Sequence, residues 1–303
     1  MSYAGIIAYR WGWRDQDVLL VDCVRPMVNS LMDNGSIDFF WFDRFDARGP
    51  HIFFLLGANP RLCSRLSTAF SRQLKEYLRN YPSKDQVAYE EIEARHRECR
   101  GKTQCIIDRQ LGYPSNDTVI AFRHPSFGYP FYLAPKQSAA ERVWALVSSI
   151  SLQALQELAC RSEGQRNLAA ISWIAALDRG LNAVTDCSLQ FWRYYATTLL
   201  PALAEALQSD EPAVSARVRN IAGGKNEVVF SSVWENPASA QRWPQIPGLL
   251  SALELGRDEP HLNAWKLLRE ITHCLLKQLG IPVRLHVPLV LHAWRLHLPV
   301  GSG

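Results

Sequence analysis

Arg44, Asp46 and His51 surround the turn of an otherwise greasy ribbon, Ile37 to Gly57, IDFFWFDRFDARGPHIFFLLG. An ionised group beside such a core is costly unless it is paired or put to use. Two outcomes are open: a salt-bridged hairpin end, or a working site. Other stretches also hold reactive types. The charge-dense segment Gln86 to Arg100 carries Tyr89 and Arg95, and the tail IPVRLHVPLVLHAWRLHLP carries His286, His292 and His297. Imidazoles titrate near neutral pH and can move protons. The loop from His124 to Tyr132, HPSFGYPFY, holds Tyr129 and Tyr132, and a loop this aromatic lines a core edge or a pocket. Each residue has a plainer alternative. His292 suits a buried histidine of an apolar helix, Tyr89 strand packing, Tyr129 and Tyr132 loop anchoring, and Arg48 solvation.

The elements that must position these groups follow from periodicity. In the ribbon, Ile37, Phe39 and Trp41 alternate with Phe40, Phe42 and Arg44, the period of a strand. Asp46 to Pro50 reverses the chain, and His51 opens a second strand. A first strand is expected from Tyr3 to Trp13, then a helix over about Gln16–Met32 ended by Asn34-Gly35. Asn59-Pro60 starts a helix through about Asn80, and Asp117–Phe122 reads as a strand. From Ser138 onward helices dominate: about Ala139–Cys160, Gln165–Leu181, Leu189–Leu207 with a break at Pro201, and His261–Leu279. Asn236–Pro247 reads as loop, and Trp265 and Trp294 as core. The expected class is α+β. An antiparallel or mixed sheet with flanking helices occupies 1–136, and a mainly helical part occupies 137–303.

Composition limits the function. The chain has 303 residues, 48% hydrophobic and 20% charged, enough for one large domain or two intimate ones. A net charge of +4 is too weak to argue for direct nucleic-acid binding and suits an acidic peptide at least as well. No apolar run approaches a membrane span, and the N-terminus lacks a signal peptide, so a cytoplasmic protein is expected. Seven scattered cysteines with no CxxC or HExxH point to reduced thiols, and neither a metal nor a cofactor is expected. Gly223-Gly224-Lys225 lacks the rest of a phosphate loop.

Taken together, Trp41 to His51 resembles the pattern W-F-F-x-R-Y-x-D-x-x-x-H of the lantibiotic dehydratase C-terminal (elimination) domain and of thiopeptide maturation proteins on the same fold. Val24-Arg25-Pro26 to Leu31 is similar to the family's V-R-P-x-V-x-x-L, and Tyr89 and Arg95 keep the spacing of Y-E-P-E-x-x-R-Y-G-G. Departures are visible. Phe53-Phe54-Leu55 replaces arginines, Arg95-His96-Arg97-Glu98 replaces R-Y-G-G, and the terminal H-M-x-x-N-R becomes His292 to His297 without its Asn and Arg. An insertion of about Gly101 to Lys136 has no counterpart. The resemblance implies catalytic roles for Arg44, Arg95 and His292, with His286 a competitor, and a hydrogen bond from Arg44 or Tyr89 to a reacting amide. It implies substrate contacts from His51, Trp41, Tyr129 and Tyr132.

The implied activity is maturation of a leader-bound dehydroamino-acid peptide. The preferred form is a formal [4+2] cycloaddition to a pyridine with loss of water and leader peptide. Glutamate elimination in a split tRNA-dependent dehydratase is the alternative. A non-catalytic subunit that docks a leader on a strand edge by β-augmentation is a second one. The implied partners are a precursor peptide and a large dehydratase subunit, and an oligomer is compatible.

Overall fold

The computed structural model describes residues 2–45, 49–84, 90, 115–123, 137–159, 161–185, 187–200, 234, 242–253, 262–281 and 283–298. The chain divides into two compact units. One comprises Met1–Tyr132 with Ala140–Arg161, the other Leu133–Ala139 with Ser162–Gly303.

Among the described residues the first unit carries four strands: β1 (Ser2–Tyr9), β2 (Phe39–Phe45), β3 (His51–Ala58) and β4 (Val119–Arg123). Their order is β2-β3-β1-β4 and every pairing is antiparallel. Hairpin register sets Trp41 opposite Leu55 and Arg44 opposite Ile52. β3 is buried along its whole length and β2 up to Arg44, because helices cover both faces.

One face lies against α3 (Pro60–Asn80), where Phe70 meets Phe54 edge to face at 5.7 Å. α3 starts where sequence places it: the Asn59 side chain accepts the Arg61 N–H, and Pro60 occupies the first turn. The other face lies against α4 (Gln137–Leu158), where Trp144 packs at 6.1 Å on Trp41.

Between β1 and β2 the expected single helix is three consecutive pieces: α1 (Trp13–Val18), a π-helical turn (Leu19–Val24) and α2 (Arg25–Asp33). The widened turn leaves Leu19, Leu20 and Val24 fully buried and Val21 half-buried. Gly35, at φ 66°, makes the left-handed turn after α2 that the Asn-Gly signal forecasts.

The second unit is helical: α5 (Glu163–Thr185), α6 (Ser188–Leu199), α7 (Ile246–Ala252), α8 (Leu262–Gln278) and α9 (Val283–Leu296). α6 stops before Pro201, as a proline requires. Of the stretch Asn236–Pro247 read as loop, residues 242–245 are turn as expected, and α7 opens at its end with Pro247 in the first turn, where the missing N–H costs nothing. Gly180 of α5 allows the close approach of α7: a Cβ there would lie 2.7 Å from Leu250 Cδ1. The α+β class is as expected.

Candidate functional site

The polar end of the sheet is assembled from short stretches far apart in sequence. Arg44 is buried at 1% exposure, and its Nη2 donates to Asp17 Oδ1 at 2.5 Å. Its guanidinium carbon lies 5.3 Å from the centre of the Trp13 ring, a cation–π contact. Asp17 is itself fully buried on α1. The arginine ends an apolar strand because a carboxylate waits there.

A second buried cation, Arg10, follows β1. Its Nη1 donates to Asp117 Oδ1 at 2.6 Å, its Nη2 lies 3.9 Å from Asp15, and its carbonyl accepts from Gln16 Nε2 at 2.7 Å. Ser83 ties the two acids together, donating Oγ–H to Asp15 at 2.5 Å and N–H to Asp117 at 2.9 Å. Asp117 adopts a left-handed backbone, φ 60°, which aspartate tolerates better than most residues.

His51 sits in the same hairpin but on the other face. Its Cα pairs with Phe45 on one side and Tyr9 on the other, and the three rings form a row with centroid distances of 5.5 and 4.9 Å. Nδ1 lies 2.8 Å from the Gly49 carbonyl, so this nitrogen carries a proton. Trp41 and Phe53 share this face, in edge contact at 5.7 Å. The sheet therefore separates Arg44 from His51 and Trp41.

In the helical unit His292 is buried on α9 with Trp234 edge-on at 6.1 Å. Its competitor His286 is engaged at both nitrogens: Nε2 with the Ile281 carbonyl at 3.1 Å and Nδ1 with His273 Nδ1 at 3.0 Å. The carbonyl requires a proton on Nε2, so Nδ1 of His286 accepts from His273. Burial lowers both imidazoles, His286 to about 4, so the pair is neutral at physiological pH.

His297 joins a Ser–His–Asp set. Its Nε2 is 2.7 Å from Asp178 Oδ1 and 2.9 Å from Ser188 Oγ, and Ser188 and Trp192 Nε1 also donate to that oxygen. One imidazole nitrogen faces both partners, so the set cannot relay a proton from serine to carboxylate through the ring. Asp178 is its hub.

Tyr89, Arg95, Tyr129, Tyr132, Asp46 and Arg48 lie outside the described residues. Sequence reasoning missed Trp13, Asp15 and Asp17, although Trp13-Arg14-Asp15-Gln16-Asp17 offered the signal of alternating acids beside an aromatic. Among the described residues, no group of three or more His, Cys, Asp or Glu side chains could hold a metal ion, and no helix is long and apolar enough to cross a membrane. Cys23, Cys63 and Cys274 are buried. Burial, with Asp22 nearby, pushes the Cys23 thiol up to about 11, which keeps it protonated and unreactive. Two hollows of about 360 and 530 Å³ flank α2, and neither is lined by Arg44, His51 or His292.

Residues 8 to 297 match the family model described as lantibiotic biosynthesis dehydratase, C-terminal. No curated protein sequence matches the chain. Among solved structures, the pyridine synthase TbtD from thiomuracin biosynthesis aligns over 97% of both chains with a TM-score of 0.67 and 17% identity. TsrL aligns over 97% of this chain and 94% of its own with a TM-score of 0.54 and 13% identity. The tRNA-dependent lantibiotic dehydratase MibB from Microbispora sp. 107891 is 14% identical over 96% of this chain and 27% of its own, with a TM-score of 0.48. The first two likenesses are likenesses of fold.

Proposed function

Since the chain belongs to the lantibiotic biosynthesis dehydratase C-terminal family, and so to the maturation of ribosomally made peptides, we propose that it cyclises a leader-bound peptide bearing two dehydroalanines. The observation that carries this reading is the end-to-end agreement of its fold with that of a pyridine synthase. In the reaction, an amide next to one dehydroalanine tautomerises to its imidic form. The resulting azadiene joins the second alkene through two new carbon–carbon bonds. Loss of water and then of the leader peptide, as its amide, leaves the pyridine.

Such a step asks chiefly for orientation, which alone supplies roughly 7–11 kcal/mol. The chain's aromatic stock, 10 Trp, 10 Tyr and 12 Phe, suits a pocket that holds the two alkenes together. Arg44 remains charged at any working pH and serves as a hydrogen-bond donor toward the amide oxygen, not as a proton carrier. Tyr89 shares that task in this assignment. His292 moves protons to the departing water and leader nitrogen, and Arg95 steadies the leader side. Tyr129 and Tyr132 contact the peptide, while Trp41 and His51, buried on the sheet face opposite Arg44, shape the scaffold and do not meet the same amide.

Glutamate elimination is the second reading, favoured by the family's dehydratase character and by the sequence retention of Arg44 and Arg95. One experiment separates the readings. The protein is incubated with a leader-bearing bis-dehydroalanine peptide and, separately, with a glutamylated one, and both are read by mass. Loss of leader and water means cyclisation, loss of glutamate means elimination, and retention of both peptides unchanged refutes both. Under the preferred reading, His292→Ala lowers turnover by about a hundredfold or more while peptide affinity holds.

A further inference from the structure

The outer face of α3 carries charge that the fold does not use. α3 buries Cys63, Phe70, Leu74 and Leu78. On its other side Arg61, Arg65, Arg72, Lys75 and Arg79 are all exposed, and Glu76 is the helix's one acid. At 3.6 residues per turn, the four arginines fall within about 40° of one another, and Lys75 flanks them. The stripe runs about 27 Å at 1.5 Å per residue. Over the whole chain basic and acidic residues are near balance, 33 against 29, so the asymmetry is local.

Among the described residues, none of the five cations forms an ion pair. Glu76 lies at helical pairing distance in sequence from both Arg72 and Arg79, yet it joins neither. Like charges at i, i+4, as in Arg61 and Arg65, destabilise a helix. A solvated face needs no such arrangement, since alternating Glu and Lys would be more stable.

We propose that this stripe docks an acidic, Glu- and Asp-rich segment of the peptide substrate. Four of its five cations are arginines, whose planar fork holds carboxylates through two parallel hydrogen bonds. Its length fits about eight extended residues or some five helical turns. The exposed Leu62, 40% accessible, and Tyr81, 61% accessible, stand near its two ends and would receive apolar residues of the same segment. A nucleic acid is less suited. The residue between Arg65 and Arg72 on this face is Thr68, not a ring on which bases could stack, and the chain is only mildly basic. That the acidic segment belongs to the substrate rests on the function proposed above; that the stripe binds acidic peptide does not.

The test uses the intact protein and a fluorescein-labelled peptide of about sixteen residues alternating Glu and Ala, roughly the reach of the helix. Anisotropy should show binding that weakens steeply with salt. The variant R65E/R72E/R79E should weaken it by at least about tenfold, while circular dichroism and melting stay at parental values. Should that variant misfold, R65Q/R72Q/R79Q supplies the same comparison without charge reversal. Equal binding by parent and variant overturns the proposal. So does tighter binding of a single-stranded DNA of equal charge. Stripe-dependent binding by a protein that converts no peptide leaves the surface standing and sinks the cyclisation reading. Conversion that ignores both the acidic segment and the triple variant does the reverse.

Discussion

The two units handle buried polarity in opposite ways. At the end of the sheet, full charges are neutralised by full charges: Arg44 with Asp17, Arg10 with Asp117. At the α8–α9 contact, His286 and His273 are kept uncharged by burial, against the opposing pull of the Ile281 carbonyl on His286. The first strategy fixes a side chain firmly but leaves a stranded ion if one partner goes. The second is insensitive to salt but is vulnerable to acid.

The sharpest way to break that contrast is Asp17→Ala. It leaves Arg44 buried and without its carboxylate, and unfolding in urea should show a loss of about 3–5 kcal/mol. The double variant Asp17→Leu with Arg44→Met should regain most of it, because no charge is then stranded. A loss for Asp17→Ala as small as a surface pair's, about 0–1 kcal/mol, would mean that the ion pair does not organise the sheet end.

Acid is the corresponding probe of the helical unit. The folded chain holds His286 at about 4, whereas an unfolded histidine titrates near 6.5. Between those values the unfolded state binds the extra proton, so the stabilisation is complete above about pH 6.5 and is lost as the pH falls toward 4. The cost is roughly 3 kcal/mol, read as a shift of the urea midpoint with pH. His286→Gln should flatten that slope; an unchanged slope would move the acid sensitivity to other groups.

The smallest effect expected is that of Ser148→Ala. Ser148 Oγ, on α4, accepts the Phe42 N–H of edge strand β2 at 3.2 Å. Losing this acceptor should cost about 1 kcal/mol. It should also raise hydrogen exchange at Phe42 while leaving the α9 amides unchanged.

Much of this architecture was readable in advance, and the reasons are local. Alternation alone places Trp41 and Arg44 on opposite faces, because a strand's period is two. Asn59-Pro60 and Asn34-Gly35 marked a helix start and a helix end through backbone preferences that act within a few residues. What escaped were relations between distant residues. Nothing near Arg44 announces that its partner is Asp17, twenty-seven positions earlier. Similarly, His286 looked like a rival acid–base group until His273, on another helix, occupied its Nδ1. The π-helical turn was also invisible, since its apolar spacing reads equally well as an ordinary helix.

The seal that Ser148 places on Phe42 is continued by Asp43, whose carboxylate takes the Arg44 N–H at 2.8 Å. Two successive amides on the outer rim of β2 are thereby occupied from within the molecule. A rim with its donors spent offers little template for a foreign strand, so this side of the sheet should resist the edge-to-edge sticking that starts many fibrils. Concentrated solutions of the Ser148→Ala variant are the place to look for the first sign of that protection failing.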